Sequence, residues 1–493
     1  PSYTTIRHAI RRTFITVSGG LAAATLVGTA ATRDTARADE IAKDAEADET
    51  VSCDIVVLGS GSAGLAASIQ AAELGASVVM LEKAESFGGN TAVAEGIFGV
   101  GSRMQEEMGE SFNVNDMLQE EFEFHNYNVN TKLWEIIAHN SGEDLNWFMD
   151  HGVEFKTVTN PGAGPNCWHV FKDAHGTEAV ANLVQAARDA GVDVRSGTPG
   201  LHLLMDGDTV VGVRAQNSEG TVIDFAAKAV ILCTGGMAAD EEAVVANTNA
   251  QPGRFRYLGV PSPTGDGLRM AQEAGMGRAG AVTVCNIGIN VPDLGFFNQY
   301  GVCMGMEPTN LWVNEDGERF SPEDKVFLMT TAGNCIMNQF KAFSIIDQDT
   351  FDRLHYEGPI LGQETKTVAG VPCDEIEDCV NDALEAQNPC VFKAGTIEEL
   401  AEQMGIDPDA LVATVDTYNG YVDEGNDPDY HKDPQYLVKV QTAPIAVTRR
   451  ARSRRVGAHK PGRCAVAAIL RTALKQPGDL SRQGPLKVAL AAT

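Results

Sequence analysis

Two short apolar runs, Ile55–Leu58 and Val78–Leu81, lie on either side of a segment of helical character, Ser62–Leu74. Four consecutive apolar residues without polar alternation are typical of parallel strands that are buried on both faces. A helix between two such runs is the repeating unit of α/β proteins. The pattern therefore predicts a strand–helix–strand unit.

Further along the chain, the period of the apolar positions changes. Helical spacing predicts helices over about residues 113–125, 131–150 and 177–190. Alternation from Leu201 to Phe225 predicts β-hairpins, and the apolar run Ala229–Cys233 predicts a closing strand. This order of elements indicates the α/β class.

The turn after the first strand carries three glycines, Gly59, Gly61 and Gly64, at the spacing G-x-G-x-x-G. The first permits a tight turn, the second lets the backbone approach a pyrophosphate, and the third lets helix and strand pack closely. The helix then directs its N-terminal amides at the phosphates, and Glu82, after the second strand, can reach a ribose hydroxyl. The sequence therefore predicts a bound dinucleotide.

Several motifs resemble the fumarate reductase/succinate dehydrogenase flavoprotein family. Gly88–Thr91 is similar to its second diphosphate-contacting loop, Thr234–Gly236 to its A-T-G-G strand end, and Thr264–Gly267 to its T-G-D-G loop. Leu311–Phe320 resembles its N-x-x-G-x-R-F segment. The resemblance covers about residues 51–440 and implies FAD as the cofactor. The residues expected to bind FAD are Gly59, Gly61, Ser62, Ala63, Gly64, Glu82, Lys83, Gly88, Gly89, Asn90, Thr91, Gly96, Thr234, Gly235, Gly236 and Asp266.

The resemblance also implies the domain order. A Rossmann-like FAD-binding domain is expected over residues 51–274, an inserted α+β capping domain over 275–390, and a return to the FAD-binding domain over 391–440. The length agrees, because 493 residues exceed what a single hydrophobic core usually organises.

The N-terminal region has the layout of an export signal. Arg11-Arg12 precedes a mildly apolar run, Val17–Ala31, and an A-x-A site ends at Ala38. Residues 1–38 are therefore predicted to be a twin-arginine signal peptide and residues 39–50 an acidic linker. The expected location is the periplasm or the outer cell surface, and no later stretch is long and apolar enough for a transmembrane segment.

The net charge of the chain and the spacing of its cysteines limit which ligands and partner molecules are expected. The formal net charge of -29 argues against nucleic-acid binding, which requires a basic face. The ten cysteines include no C-x-x-C pair, so no metal, iron–sulfur or haem site is expected, and Cys53 and Cys233 are predicted to be buried free thiols. Electrons are therefore expected from a separate redox partner protein, a cytochrome or a flavoprotein, and the substrate is expected to be a small molecule.

The residues that act on fumarate in this family have no counterparts in the chain. The family's proton-donor arginine lies seven residues after the phenylalanine of N-x-x-G-x-R-F, and that position is Phe327. Its substrate histidine is also missing from a region that offers Asn286 and Asn290. Arg319 is interpreted as a structural ion-pair residue and Lys325 as a solvated lysine. The catalytic residues stay unassigned, and fumarate is not the expected substrate.

Residues 441–493 differ in composition from the rest of the chain. They include 11 basic residues, one acidic residue and no aromatic residue. The resemblance implies a glycine-rich strand and an R-x-x-G-G-N segment here, which close the flavin site, and neither is present. A basic tail for nucleic acid or anionic lipid is one interpretation. The composition favours a non-native or disordered tail, as a shifted reading frame would produce, and part of the isoalloxazine pocket would then be missing.

Three functions remain open. The first is an exported FAD-dependent oxidoreductase that transfers hydride between flavin N5 and an activated C=C bond of a small organic molecule other than fumarate. The second is a 3-ketosteroid desaturase-like dehydrogenase, whose apolar pocket could use Met304, Met306, Trp312 and Phe327, although a core role is the preferred interpretation of each. The third is a truncated and inactive FAD-domain protein.

Overall fold

The computed structural model describes most of the chain between Glu46 and Thr448. In these residues the chain forms thirteen β-strands in three sheets, numbered in chain order. The described residues are 46–160, 165–248, 250, 252–253, 257–277, 289, 299–361 and 367–448. The strands are β1 (Glu49–Leu58), β2 (Val78–Leu81), β3 (Gly96–Phe98), β4 (Phe155–Thr159), β5 (Trp168–Phe171), β6 (Asp193–Arg195), β7 (Gly200–Asp206), β8 (Thr209–Gln216), β9 (Val222–Leu232), β10 (Leu311–Asn314), β11 (Ala342–Ile346), β12 (Val391–Lys393) and β13 (Ile445–Thr448).

The helices are numbered in the same way, and the three helices predicted over residues 113–190 are confirmed. Short 3-10 helices cover Gly89–Val93, Glu323–Phe327 and Pro434–Tyr436. The α-helices are α1 (Ser62–Glu73), α2 (Arg103–Glu107), α3 (Val114–Phe124), α4 (Thr131–Asp150), α5 (Thr177–Asp189), α6 (Glu241–Asn247), α7 (Asp266–Glu273), α8 (Gln299–Met306), α9 (Met329–Met337), α10 (Gln348–Tyr356), α11 (Ile376–Glu385), α12 (Ile397–Met404) and α13 (Pro408–Glu424).

The six-stranded sheet contains the predicted strand–helix–strand unit. Its strands lie in the order β6-β2-β1-β9-β8-β7, and β1 is parallel to both β2 and β9. On one face Val57 packs with Leu65 of α1 and Leu183 of α5. On the other face Val56 packs with Phe225. Because both faces of β1 are covered, its sequence is a continuous apolar run. The mixed α/β fold with a Rossmann-like parallel core is confirmed.

Strand β9 is longer than the sequence pattern indicates. The predicted hairpin ended at Phe225 and the closing strand began at Ala229, but Val222–Leu232 is one strand. Its first half pairs antiparallel with β8, and from Ile223 onwards it pairs parallel with β1. Because Glu49 already pairs with Ile223, β1 begins at Glu49. The acidic linker predicted over residues 39–50 therefore ends before Glu49.

A second sheet has three antiparallel strands in the order β3-β5-β4. Along the chain, these strands come between β2 and β6 of the six-stranded sheet. Its central strand carries His169, which is completely buried. The Nε2 atom of His169 lies 2.6 Å from Oγ of Ser102, the N-cap of α2. Burial lowers the pKa of His169 to about 4.

We expect the protein to lose stability between pH 6.5 and pH 4 because of His169. The unfolded chain protonates this residue near pH 6.5, whereas the folded chain resists protonation down to about pH 4. The contribution of neutral His169 is therefore complete above the unfolded pKa and is lost as the pH falls to the folded pKa, by about 3 kcal/mol. Urea unfolding at pH 7.5 and pH 4.5 measures this loss. His169→Gln should lose clearly less, and an equal loss in both proteins would contradict the assignment.

The four-stranded sheet, β10-β11-β13-β12, is antiparallel. One face packs against α12 and α13, where Leu311 and Phe343 meet Leu400 and Leu411. The opposite face carries Trp312, which packs in a core with residues of α8, α9 and α11. The predicted capping region therefore has its own sheet, with a core on each face.

Two expected boundaries differ from the structure. Residues 391–440 were expected to return to the FAD-binding domain, but β12, α12 and α13 complete the four-stranded sheet and one of its cores. The basic tail was expected from residue 441, but Ile445–Thr448 is a buried strand between β11 and β12. The charge count placed that boundary too early, because the basic residues begin only at Arg449. The other domain boundaries stay predictions.

Several sequence features lie outside the described residues. They are the predicted signal peptide, the linker up to residue 45, Asn286, Asn290, and the chain after residue 448. Within the described part, no helix has the length and apolar character needed to cross a bilayer.

Candidate cofactor site

The dinucleotide loop has the geometry that its three glycines predict. Gly59 has φ +100°, and a Cβ there would lie 2.3 Å from the carbonyl oxygen of Cys233. A Cβ on Gly64 would lie 1.8 Å from the Gly59 carbonyl oxygen, so this position needs glycine for helix–strand contact. At Gly61, the nearest atom to such a Cβ is Oγ1 of Thr91, at 3.5 Å. Gly61 is therefore a glycine that the protein's own packing does not require.

Glu82 directly follows β2 and is buried, with 5% of the residue exposed. Its Oε2 accepts hydrogen bonds from the Ser60 amide (3.0 Å) and the Ser60 hydroxyl (2.6 Å), and Oε1 accepts from the Ala84 amide (2.8 Å). A carboxylate has about four acceptor positions, which leaves one for a ribose hydroxyl. The position of Glu82 thus agrees with its predicted role.

Ser60 is a site residue that the sequence analysis missed. It is completely buried, donates its hydroxyl proton to Glu82, and accepts a hydrogen bond from the Gly88 amide at 2.9 Å. It therefore joins the dinucleotide loop, the ribose-binding glutamate and the second glycine loop. The motif G-x-G-x-x-G leaves this position unspecified, so spacing alone gave no signal for it.

The second glycine loop closes against the first. Gly88 and Gly89 have φ +110° and +50°, in the region that favours glycine. Oγ1 of Thr91 accepts a hydrogen bond from the Ser62 amide at 2.9 Å. The predicted phosphate donor Ser62 therefore uses its amide within the protein. Ala63, the next residue of α1, follows it in the same first turn.

Lys83, Asn90 and Asp266 were expected to contact FAD, and the structure gives each a protein partner. The Nζ atom of Lys83 lies 2.6 Å from Oδ2 of Asp266 and donates to Oγ1 of Thr264 at 2.7 Å. The side chain of Asn90 donates to the Tyr257 hydroxyl at 2.7 Å. Both side chains therefore hold residues 257–266 beside the glycine loops.

The remaining predicted glycines differ in their surroundings. Gly96 lies in β3, where a Cβ would meet the His169 carbonyl oxygen at 2.3 Å, so strand packing explains it. Gly235 has φ +70°, and no atom lies within 4 Å of a Cβ on Gly236. Thr234 is close to α7, because a Cβ on Gly267 would lie 2.2 Å from its Oγ1. The contacts of these residues with FAD stay predictions.

The thiols of Cys53, in β1, and Cys233, directly after β9, were predicted to be buried, and the structure buries both only in part. Cys53 and Cys233 are both free and partly buried, and burial raises the pKa of each, to about 11 for Cys233. Within the described residues no cluster of His, Cys, Asp and Glu could hold a metal ion.

Comparison with known proteins decides the family. A family described as an FAD binding domain matches residues 54–461. The chain belongs to the fumarate reductase/succinate dehydrogenase flavoprotein family. Members of this flavoprotein family are FAD-dependent oxidoreductases that act on CH–CH bonds, and FAD is the cofactor of the chain.

Two relatives and two solved structures indicate its place in the flavoprotein family. The chain is 34% identical over 405 residues to a vinyl phenol reductase of Lactiplantibacillus plantarum, covering 80% of this chain and 81% of the relative. It is 28% identical to an NADH:fumarate oxidoreductase of Klebsiella pneumoniae, covering 81% of this chain and only 40% of the relative. An open flavocytochrome c3 fumarate reductase matches with TM-score 0.62 and 24% identity, covering 83% and 68%. A 3-ketosteroid-Δ4-(5α)-dehydrogenase from Rhodococcus jostii RHA1 matches with TM-score 0.60 and 25% identity, covering 82% and 84%.

The loop geometry fits the diphosphate of FAD. The N-cap residue of helix α1, Gly61, has no side chain to cap the helix, Thr91 accepts only from the Ser62 amide, and the first turn contains no acidic residue. The positive end of its dipole therefore faces a position that suits an anion. Gly61 leaves that approach open, and Glu82 retains an acceptor position for the ribose. When bound, FAD supplies the hydride chemistry of the flavoprotein family.

Arg319 follows β10 of the four-stranded sheet and forms buried ion pairs. Its Nη2 atom lies 2.8 Å from a carboxylate oxygen of Glu323 and 2.8 Å from one of Asp427, and both carboxylates are fully buried. The Nζ atom of Lys432, also fully buried, lies 3.2 Å from Glu323. Although burial opposes its charge, Lys432 and Arg319 lower the pKa of Glu323. The four charges balance, which supports the structural interpretation of Arg319.

Phe327 occupies the position at which the flavoprotein family has its proton-donor arginine, so this position carries no charge in the chain. Phe327 lies with its ring centroid 5.5 Å from that of Tyr436. Lys325 is exposed and lies 3.5 Å from Asp324, as a solvated lysine would. Met304, Met306 and Trp312 are all buried in the core of the capping sheet, which confirms their predicted core role.

Proposed function

We propose that the chain is an FAD-dependent reductase of an activated C=C bond in a small aromatic molecule of the vinyl phenol type. The observation that carries the proposal is the 34% identity to a vinyl phenol reductase, which extends over four-fifths of both chains. In the reaction, the alkene takes up a hydride and a proton, and a reductant restores the two electrons.

In the described part of the capping region, the arginine of the N-x-x-G-x-R-F segment is already paired, which favours a substrate other than a dicarboxylate. Binding a dicarboxylate requires unpaired cations, because carboxylates are held by charge-assisted hydrogen bonds. Arg319 is paired with Glu323 and Asp427, and the position that corresponds to the family's proton-donor arginine is the uncharged Phe327.

Export and the electron donor belong to the same proposal. The twin arginines and the A-x-A site at Ala38 support secretion through the twin-arginine pathway to the periplasm or the outer cell surface. The cysteine spacing supports a separate redox protein, a cytochrome or a flavoprotein, as the donor.

A second candidate is dehydrogenation of a 3-ketosteroid. The likeness to a solved 3-ketosteroid-Δ4-(5α)-dehydrogenase favours it, with TM-score 0.60 and 25% identity. The burial of Met304, Met306 and Trp312 in the capping core speaks against it, because these side chains are not available to line a steroid pocket.

Steady-state turnover with a substrate panel tests the proposal. The protein is assayed anaerobically with reduced viologen dye and a vinyl phenol, a cinnamate, urocanate or fumarate, and separately with a 3-ketosteroid and an electron acceptor. We expect kcat/KM for the vinyl phenol to exceed that for fumarate at least about 100-fold, a difference of about 2.7 kcal/mol. Preference for fumarate or the steroid would refute it. If every arm is inactive and no flavin is bound, the chain is the truncated form.

A further inference from the structure

Two of the expected cofactor residues hold one segment of the chain, residues 257–266, which we call the strap. Lys83 contacts its C-terminal end through Thr264 and Asp266. Asn90 contacts its N-terminal end: Nδ2 donates to the Tyr257 hydroxyl at 2.7 Å, and Oδ1 accepts from the Val260 amide at 3.0 Å. The strap is therefore fixed at both ends by side chains from two cofactor loops.

The N-terminal contact requires a glycine in the strap. A Cβ on Gly259 would lie 2.2 Å from the Tyr257 hydroxyl oxygen and 2.3 Å from Oδ1 of Asn90. Any other residue would therefore separate the two groups that form the contact. Burial also raises the pKa of Tyr257, so its hydroxyl remains a neutral donor and acceptor at physiological pH.

The loop that carries Asn90 is held from its other side by the dinucleotide loop. The Gly88 amide donates to Oγ of Ser60, and the Ser62 amide donates to Oγ1 of Thr91. Residues 88–91 thus lie between the dinucleotide loop and the strap. Without the Asn90 contacts, the side of this loop that faces the strap would no longer be held. By its resemblance to the flavoprotein family, this loop is expected to contact the FAD diphosphate.

We propose that Tyr257 is a positioning residue for FAD, which acts through Asn90 to keep the Gly88–Thr91 loop closed on the bound cofactor. Tyr257 does not touch FAD in this role. It sets the position of the loop that does, and Gly259 makes the contact possible. The consequence is that the strap controls how fast FAD leaves the protein.

The test is the rate of FAD release from the holoprotein, followed by the rise in flavin fluorescence after dilution. Tyr257→Phe removes both hydrogen bonds between this hydroxyl and the Asn90 side chain, and we expect release to become about 3-fold to 10-fold faster. Tyr421→Phe is the matched control, because its hydroxyl also contacts a single side chain, Asp429 at 2.9 Å, in the capping region. This control should release FAD at the wild-type rate.

A double-mutant cycle makes the test independent of overall stability. Asn90→Ala should also speed release, and the double variant Asn90→Ala/Tyr257→Phe should be no faster than the faster single variant, because both remove the same contact. In the FAD-free protein, Tyr257→Phe and Tyr421→Phe should lower the thermal midpoint by similar small amounts, because each removes the contact of one hydroxyl with one side chain. Equal release rates for Tyr257→Phe and Tyr421→Phe, or additive effects in the cycle, would overturn the proposal. Should Tyr257→Phe fail to fold, Asn90→Ala against Tyr421→Phe decides it in the same way.

Discussion

Replacing Gly61 by valine is expected to abolish FAD binding and to leave the protein folded. The fold has room for a Cβ at this position, since the nearest atom to it would be 3.5 Å away. That room is where a diphosphate must approach the backbone at the start of α1. We expect at least a 100-fold rise in the FAD dissociation constant, or about 2.7 kcal/mol. Flavin absorbance per protein after purification and titration with FAD measure it.

Gly64→Ala is the control for this prediction. It adds one carbon atom, 1.8 Å from the Gly59 carbonyl oxygen, so it should destabilise the fold itself. The two variants therefore separate a glycine that is kept for the ligand from one that is kept for packing. If Gly61→Val binds FAD like the wild type, the diphosphate does not lie at this loop. Unfolding of Gly61→Val with unchanged Gly64→Ala would reverse the two roles.

Replacing Arg319 by methionine is expected to destabilise the protein by about 3–5 kcal/mol, because a buried ion pair that loses one partner leaves charges unpaired. Glu323 and Asp427 are fully buried and both depend on Arg319. Lys432 would remain as a close cation for Glu323. Urea unfolding at pH 7 measures the change in the free energy of unfolding.

The matched control is Arg103→Met. Arg103 also forms an ion pair, with Asp150 at 2.7 Å, but both side chains are exposed, at 45% and 61%. Exposed pairs contribute little, so the expected loss is below about 1 kcal/mol. Comparable losses in the two variants would show that burial of the Arg319 pair is not what makes it important. A folded, fully stable Arg319→Met variant without activity would instead assign Arg319 to catalysis.

The sequence predicted the cofactor domain well because its signals are local. Each signal depends on the conformation of residues next to it in the chain. The signals are the run Ile55–Leu58, the three glycines and Glu82, and the structure places them together. The extent of β9 was not predictable in the same way. Its continuation past Phe225 depends on pairing with β1, more than 160 residues away in sequence.

The contacts that sequence reasoning missed are all long-range. Asn90 looked like a cofactor ligand from its motif, and its pairing with Tyr257 joins residues 167 positions apart. The strand Ile445–Thr448 was assigned to a basic tail because charge was counted over the whole segment, whereas its neighbours in space are β11 and β12. The ion pairs of Arg319 agree with its interpretation from the sequence, because an arginine inside a turn of the N-x-x-G-x-R-F segment is most simply explained by a structural ion pair.

The most direct test of the proposed function is a single-turnover measurement on the purified holoprotein. Its flavin is reduced anaerobically and mixed in a stopped-flow spectrometer with a vinyl phenol or with fumarate, and reoxidation is followed at the flavin absorbance maximum. We predict rapid reoxidation by the vinyl phenol, with one ethyl phenol formed per flavin, and little reoxidation by fumarate. Reoxidation by fumarate at a comparable or higher rate, or no reoxidation by the vinyl phenol, would contradict the proposal.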